Sequence, residues 1–153
     1  AGGDVRTGQG GNIYIQGGTV SLSGGTIAGG NAKDGGNIYS EVGFTLGDGM
    51  NIQGGTASGN GSGVYLKTGT LTLGKELSFT GNSGADIYLN SGATMALNAE
   101  GLTVATPIKV AAADGKIATN AATDLSACFE SAVSGKQITW NESEQALYLQ
   151  ANP

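Results

Sequence analysis

The apolar residues of this chain fall in short alternating runs. Asn12-Ile13-Tyr14-Ile15, Thr70-Leu71-Thr72-Leu73 and Thr94-Met95-Ala96-Leu97 each send every second side chain to one face, the period of a half-buried strand. Glycine-bearing turns separate the runs. No helical pattern joins them, so the βαβ build of an ordinary parallel sheet is not expected.

The runs recur. Ile13-Tyr14-Ile15, Ile38-Tyr39-Ser40, Val64-Tyr65-Leu66 and Ile87-Tyr88-Leu89 hold four of the five tyrosines at steps of 25, 26 and 23 residues, and a fainter copy, Ile108-Lys109-Val110, follows after 21. Each copy leads through a short linker into a second run: Thr19-Val20-Ser21-Leu22, Phe44-Thr45-Leu46, Thr70-Leu71-Thr72-Leu73 and Thr94-Met95-Ala96-Leu97. A third run is read at Thr26-Ile27, Ala57, Leu77-Ser78-Phe79 and Leu102-Thr103-Val104, followed by Gly30-Asn31, Gly59-Asn60 and Gly81-Asn82 in the first three copies. A repeat of this length cannot bury its apolar face alone, but stacked repeats complete a common core. The expected fold is therefore all-β: a right-handed, single-stranded parallel β-helix of about five coils, each strand lying ~4.8 Å from its counterpart. Asn31, Asn60 and Asn82 are expected at matching corners, in left-handed conformations and with their amides bonded to the stacked neighbour.

Composition narrows the chemistry. Glycine contributes 29 of 153 residues, 26 of them before residue 93, without the proline or the triplet period of collagen. With no histidine and one cysteine, there is no imidazole triad, no histidine metal site and no internal disulfide. A net charge of −5 with seven Lys and Arg argues against nucleic acid as a partner. No apolar run approaches the ~18 residues of a membrane span, so membrane insertion is not expected. The chain opens on Ala1 without a leader pattern, as a mature or excised segment would.

Gly10-Gly11-Asn12-Ile13 and Gly35-Gly36-Asn37-Ile38 resemble the GGxI half of the repeat of polymorphic outer-membrane proteins, and Phe79-Thr80-Gly81-Asn82 resembles the FxxN half. The alternation of Gly-Gly-Thr-Ile with Ile-Tyr is also similar to β-helix repeats of bacterial adhesins. The resemblance covers roughly residues 10–92. It implies a parallel β-helix on a bacterial surface or in a secreted protein, and it brings no ligand with it.

Beyond residue 120 the pattern changes. Leu125, Cys128, Phe129, Ala132 and Val133 share one helical stripe, with Thr123 or Asp124 as N-cap and Gly135 as stop. Gln137-Ile138-Thr139-Trp140 and Ala146-Leu147-Tyr148-Leu149 read as a hairpin. The coils are thus assigned to residues 1–119, and residues 120–153 to a cap of one short α-helix and a hairpin packed on the last coil.

The candidate site is an aromatic ladder. With Ile13, Ile38, Val64 and Ile87 inward, Tyr14, Tyr39, Tyr65 and Tyr88 stack outward, either as a strip for sugar rings or simply as paired residues that hold neighbouring strands together. Thr19, Ser21, Thr45, Thr70, Thr72 and Thr94 form a second row, interrupted at Gly43 and Ala96, of the kind ice-binding solenoids use to order water. The acids Asp34, Glu41, Asp48, Asp86 and Glu100 are dispersed, which disfavours the clustered carboxylates of a polysaccharide lyase or hydrolase. Cys128 sits on the apolar stripe without a basic neighbour, as an inert thiol. The expectation is a non-enzymatic structural and adhesive segment, extracellular on a bacterial surface or secreted. It would need no cofactor or metal and would contact glycan or protein, with self-association left open. The alternatives are a carbohydrate-active β-helix enzyme and an ice-binding solenoid.

Overall fold

The computed structural model describes residues 3–153, leaving residues 1 and 2 outside the described part. It is an all-β parallel solenoid of about five turns. The tyrosine face is a six-stranded parallel sheet of Ile13–Ile15, Ile38–Ser40, Val64–Leu66, Ile87–Leu89, Ile108–Ala111 and Phe129–Ser131. The threonine face stacks Ser21–Leu22, Phe44–Leu46, Thr70–Leu73, Thr94–Ala96 and Gly115–Thr119 in the same sense. Like lies over like: Leu22, Leu46 and Leu73 form one inward column, and Phe44, Leu71 and Met95 form another. Ile38, Leu46, Leu66, Leu71, Ile87 and Met95 are fully buried in this core.

The third face differs from the sequence reading in its second coil. The strand there is Met50–Gln53, between Gly25–Ala28 and Leu77–Thr80, with Ile52 in register between Ile27 and Phe79. Ala57 belongs instead to a fourth, short face, where Thr56–Ala57 pairs with Asn31–Asp34, and that strand pairs with Asp4–Gln9. Asparagine at residue 51 has low β-propensity and glycines flank the run, which hid a strand whose inward pair is Met50 and Ile52. In the next coil, Leu102-Thr103-Val104 contributes only a single bridge, Thr103 to Glu76.

The α-helix expected over Leu125–Val133 does not form; the described residues contain no α-helix. Ser126–Cys128 makes one 3₁₀ turn, and Phe129–Ser131 is a strand lying parallel on Ile108–Val110. Two forces override the helical stripe. The Ile108–Ala111 edge offers unpaired backbone groups that only a strand can satisfy, and Asp124 accepts from both the Ser126 amide (3.0 Å) and hydroxyl (2.6 Å), holding a turn. Those two bonds also hold the Asp124 carboxyl below its usual range. Parallel pairing on the tyrosine face thus continues to Ser131.

The hairpin is present. Lys136–Asn141 and Ala146–Ala151 pair antiparallel, and the second strand also lies antiparallel on Gly115–Thr119. Leu147 and Leu149 roof the core, and Trp140 donates its indole N–H to the Ala121 carbonyl at 2.9 Å.

Candidate functional site

Parallel, in-register pairing places Tyr14 over Tyr39, Tyr39 over Tyr65 and Tyr65 over Tyr88. Their ring centroids are 5.2, 4.8 and 4.9 Å apart, with interplanar angles of 19°, 14° and 22°. The structure therefore brings all four predicted residues into one stack. Each pair adds about 0.5–1.5 kcal/mol beyond burial. Because the planes lie across the solenoid axis, the faces of the inner rings are spent on one another, and the ladder shows solvent its edges and hydroxyls. Tyr39 is only 7% exposed, while Tyr14, at the end of the row, is 47% exposed. Burial pushes the phenols of Tyr39 and Tyr65 up from their usual value.

The row ends below Tyr88. There the register sets Ile87 on Val110 and Tyr88 on Ala111, so Lys109 is not the next rung. Two residues earlier, the Lys109 amide donates to the Asp86 carboxylate at 2.9 Å, which anchors that shift. An ion pair borders the ladder: Lys67 Nζ lies 3.5 Å from Glu41 Oε1.

Beneath the ladder runs a line of amides. Asn37 is wholly buried. Its Oδ1 accepts from the Gly30 amide (2.9 Å) and from Asn12 Nδ2 (2.7 Å), and its Nδ2 donates to the Gln53 carbonyl (3.0 Å). The Asn of Gly-Gly-Asn-Ile thus bridges the seam between the third and fourth faces, adding to the backbone bonds from Gly29 to Gln53 and from Thr56 to Gly30. In the third coil Gly63 stands at that place, and Asn82 reaches in instead: its Oδ1 accepts from the Gly55 amide (2.8 Å), and its Nδ2 donates to the Ile52 carbonyl (3.2 Å) and to Asp86 (2.8 Å). The amide of Asn82 therefore does bond its stacked neighbour. The left-handed conformation expected at Asn31, Asn60 and Asn82 is not adopted; among the described residues only Asn120 and Gln145 show positive φ outside glycine. Gly29 (φ 70°) and Gly81 (φ 65°) take those turns, because glycine has no Cβ to oppose them.

Asp86 is 5% exposed and accepts from both Asn82 and Lys109. Burial raises its pKa against the lowering effect of those two donors. Replacing it by alanine leaves the Lys109 amide without an acceptor, and an expected cost of about 1–3 kcal/mol follows, read by denaturant unfolding. A carboxyl whose folded pKa lies above its unfolded value adds stability fully below the unfolded value and loses it as the pH rises through the folded one. The gap between the native chain and Asp86→Ala should therefore widen as the pH falls from neutral toward about 4; a gap that narrows would refute the account.

The outward rows of the threonine face are also registered. Ser21, Thr45, Thr72, Ala96 and Thr119 form one column, and Thr70 lies on Thr94 in another. Of Asp34, Glu41, Asp48, Asp86 and Glu100, only Asp48 and Glu100 share a groove, one of about 350 Å³ that they line with Glu76 and Lys75. Asp34 accepts from the Asn60 amide and Asp48 from the Lys75 amide, while Glu41 pairs with Lys67 and Glu100 with Lys75 (3.1 Å). Cys128 is half-buried, its Sγ 3.4 Å from the Leu102 carbonyl, and burial pushes its thiol pKa up.

One surface escaped the sequence reading. Tyr148, the tyrosine outside the repeat, donates to Glu144 (2.9 Å), which pairs with Lys116 at 2.9 Å; Lys116 lies 5.9 Å over the Tyr148 ring. Tyr148 and Glu144, with Thr139, Trp140, Asn141, Glu142 and Gln150, line an open groove of about 590 Å³. The signal was present, since Leu147 and Leu149 inward require Tyr148 outward.

Comparison with protein-family models, curated proteins and solved structures found no match.

Proposed function

We propose that the chain is a non-enzymatic structural and adhesive segment of a bacterial surface or secreted protein, presenting its flat repeat faces to glycan or protein. The observation that carries this reading is the four-ring tyrosine stack, flanked by the Glu41–Lys67 pair and set on a regular parallel sheet. A row of phenol edges and hydroxyls at coil spacing suits contact with a chain of sugar hydroxyls or an extended peptide running along the solenoid axis. The acids support the same reading, because several cap backbone amides or pair with lysines. The GGxI and FxxN motifs add the resemblance to outer-membrane and adhesin repeats, and with it the extracellular placement.

Glycan-array and immobilised-protein binding test the proposal. The native chain is expected to retain a ligand that is lost in a Tyr65→Phe/Tyr88→Phe variant whose circular dichroism is unchanged. Undiminished binding by that variant would remove the ladder from the contact. Release of reducing sugar from a polysaccharide would favour the carbohydrate-active alternative. The registered threonine columns favour an ice-binding reading as the second choice, and thermal hysteresis in dilute solution would promote it over adhesion.

A further inference from the structure

We infer that the tyrosine ladder is a site of oxidative cross-linking, in which Tyr65 and Tyr88 join carbon to carbon as dityrosine and tie the third coil to the fourth. The co-reactant is hydrogen peroxide acting through a haem peroxidase. The link forms independently of any glycan or protein that the ladder binds. With one cysteine in the chain, an internal disulfide is excluded, and stacked phenols offer another route to a covalent tie between coils.

In-register parallel pairing sets Tyr65 directly on Tyr88, with ring centroids 4.9 Å apart and planes inclined by 22°. The Cε carbons flanking one hydroxyl therefore face those flanking the other. These carbons carry the unpaired spin of a phenoxyl radical. Both residues are half-buried, and the ladder turns this hydroxyl end of each ring toward solvent, open to an oxidant. Loss of one electron and the hydroxyl proton from each phenol gives two neighbouring phenoxyls. Their Cε carbons form the new bond, and the hydrogen on each joined carbon passes to the oxygen to restore two phenols. One hydrogen peroxide takes up the two electrons and two protons and leaves as two waters. Held side by side, the rings couple within one chain faster than chains collide.

Of the three stacked pairs this one has the most freedom to close. Both others contain Tyr39, which is stacked on both sides and 7% exposed. Tyr88 carries a ring on one side only, because the register sets Ala111 beside its other face. A methyl in place of a fifth ring leaves Tyr88 room to tilt, and its plane is already the most inclined to its neighbour's. Tyr148 is the internal comparison: its hydroxyl is given to Glu144, and among the described residues no ring stacks on it.

Brief treatment of the folded chain with hydrogen peroxide and a haem peroxidase, then unfolding, trypsin digestion and mass spectrometry, tests this. Cleavage after lysine leaves Tyr65 in residues 34–67 and Tyr88 in residues 76–109. The expected product is these two peptides joined, two hydrogen atoms lighter than their sum, from a chain still of the 15.1 kDa monomer mass. Tyr39 shares the peptide of Tyr65, so the joined pair should persist in Tyr39→Phe and vanish in Tyr65→Phe and in Tyr88→Phe, each of which keeps its ring and its stack. No joined peptide, the same joined peptide in Tyr65→Phe, chains linked mainly to one another, or Tyr148 as the main partner would overturn the inference.

Discussion

Gly36→Ala is expected to remove a large part of the stability of the fold. A Cβ on Gly36 would lie 2.4 Å from the Ser62 carbonyl oxygen and 2.7 Å from both the nitrogen and the oxygen of Thr56. All three are backbone atoms of the coil below, so no rotamer change relieves the overlap. The coils would have to separate, breaking the bonds from the Gly36 and Asn37 amides to Gly61 and Ser62. Overpacking alone costs about 1–3 kcal/mol. With the seam bonds lost as well, the penalty should exceed about 4 kcal/mol, a large part of a domain's usual 5–15. Gly25→Ala is the control: a Cβ there meets nothing within 4 Å, and its effect should stay within about 1 kcal/mol. Denaturant unfolding of the two variants measures the contrast. Equal stabilities would mean that the coils are not in contact at Gly36.

Tyr39→Ala is expected to cost about 3–5 kcal/mol, as for other buried aromatic rings. It removes a ring that is 7% exposed and stacked on both sides. Tyr39→Phe keeps both stacks and should cost less than ~1.5 kcal/mol. Tyr14→Ala, at the exposed end with one neighbour, should fall between the two. Chemical denaturation of the three variants supplies the ranking. An alanine at residue 39 as harmless as the phenylalanine would mean the rings are not stacked in solution. The result also bears on the binding test, because an alanine scan of the ladder would confuse lost contact with lost structure, whereas phenylalanine variants remove only hydroxyls.

The repeat of Ile-Tyr was legible because its two signals agree. A β-branched residue inward and a large ring outward suit one strand position, and equal spacing places such positions over each other. The same agreement made Val20, Phe44, Leu71 and Met95 readable as one inward column. Where the signals diverged, the reading failed. Met50–Gln53 is a strand through its neighbours' pairing more than its own propensity. The stripe from Leu125 to Val133 has helical spacing, yet Phe129–Ser131 answers an edge that lies some twenty residues back in the chain. Sequence spacing carries no information about such a distant vacancy. The sequence leaves the ladder open between a strip for sugar rings and stacked residues that hold neighbouring strands together, and a stack along the strand-to-strand direction hides the faces of the inner rings. Only the angles between rings reveal it. Gly63 and Asn82 show the same limit. A missing amide in one motif is supplied by a residue nineteen positions later, and neither residue announces the exchange.

The seam bridged by Asn37 and Asn82 has a consequence for growth of the molecule. Because each bridge spans adjoining turns, duplicating a whole turn would carry its own fastening with it. Length can then change by whole increments of roughly 4.8 Å without redesign of what lies above or below. An insertion of half a turn would strand an amide opposite no acceptor, so the architecture is adjustable in reach but quantised.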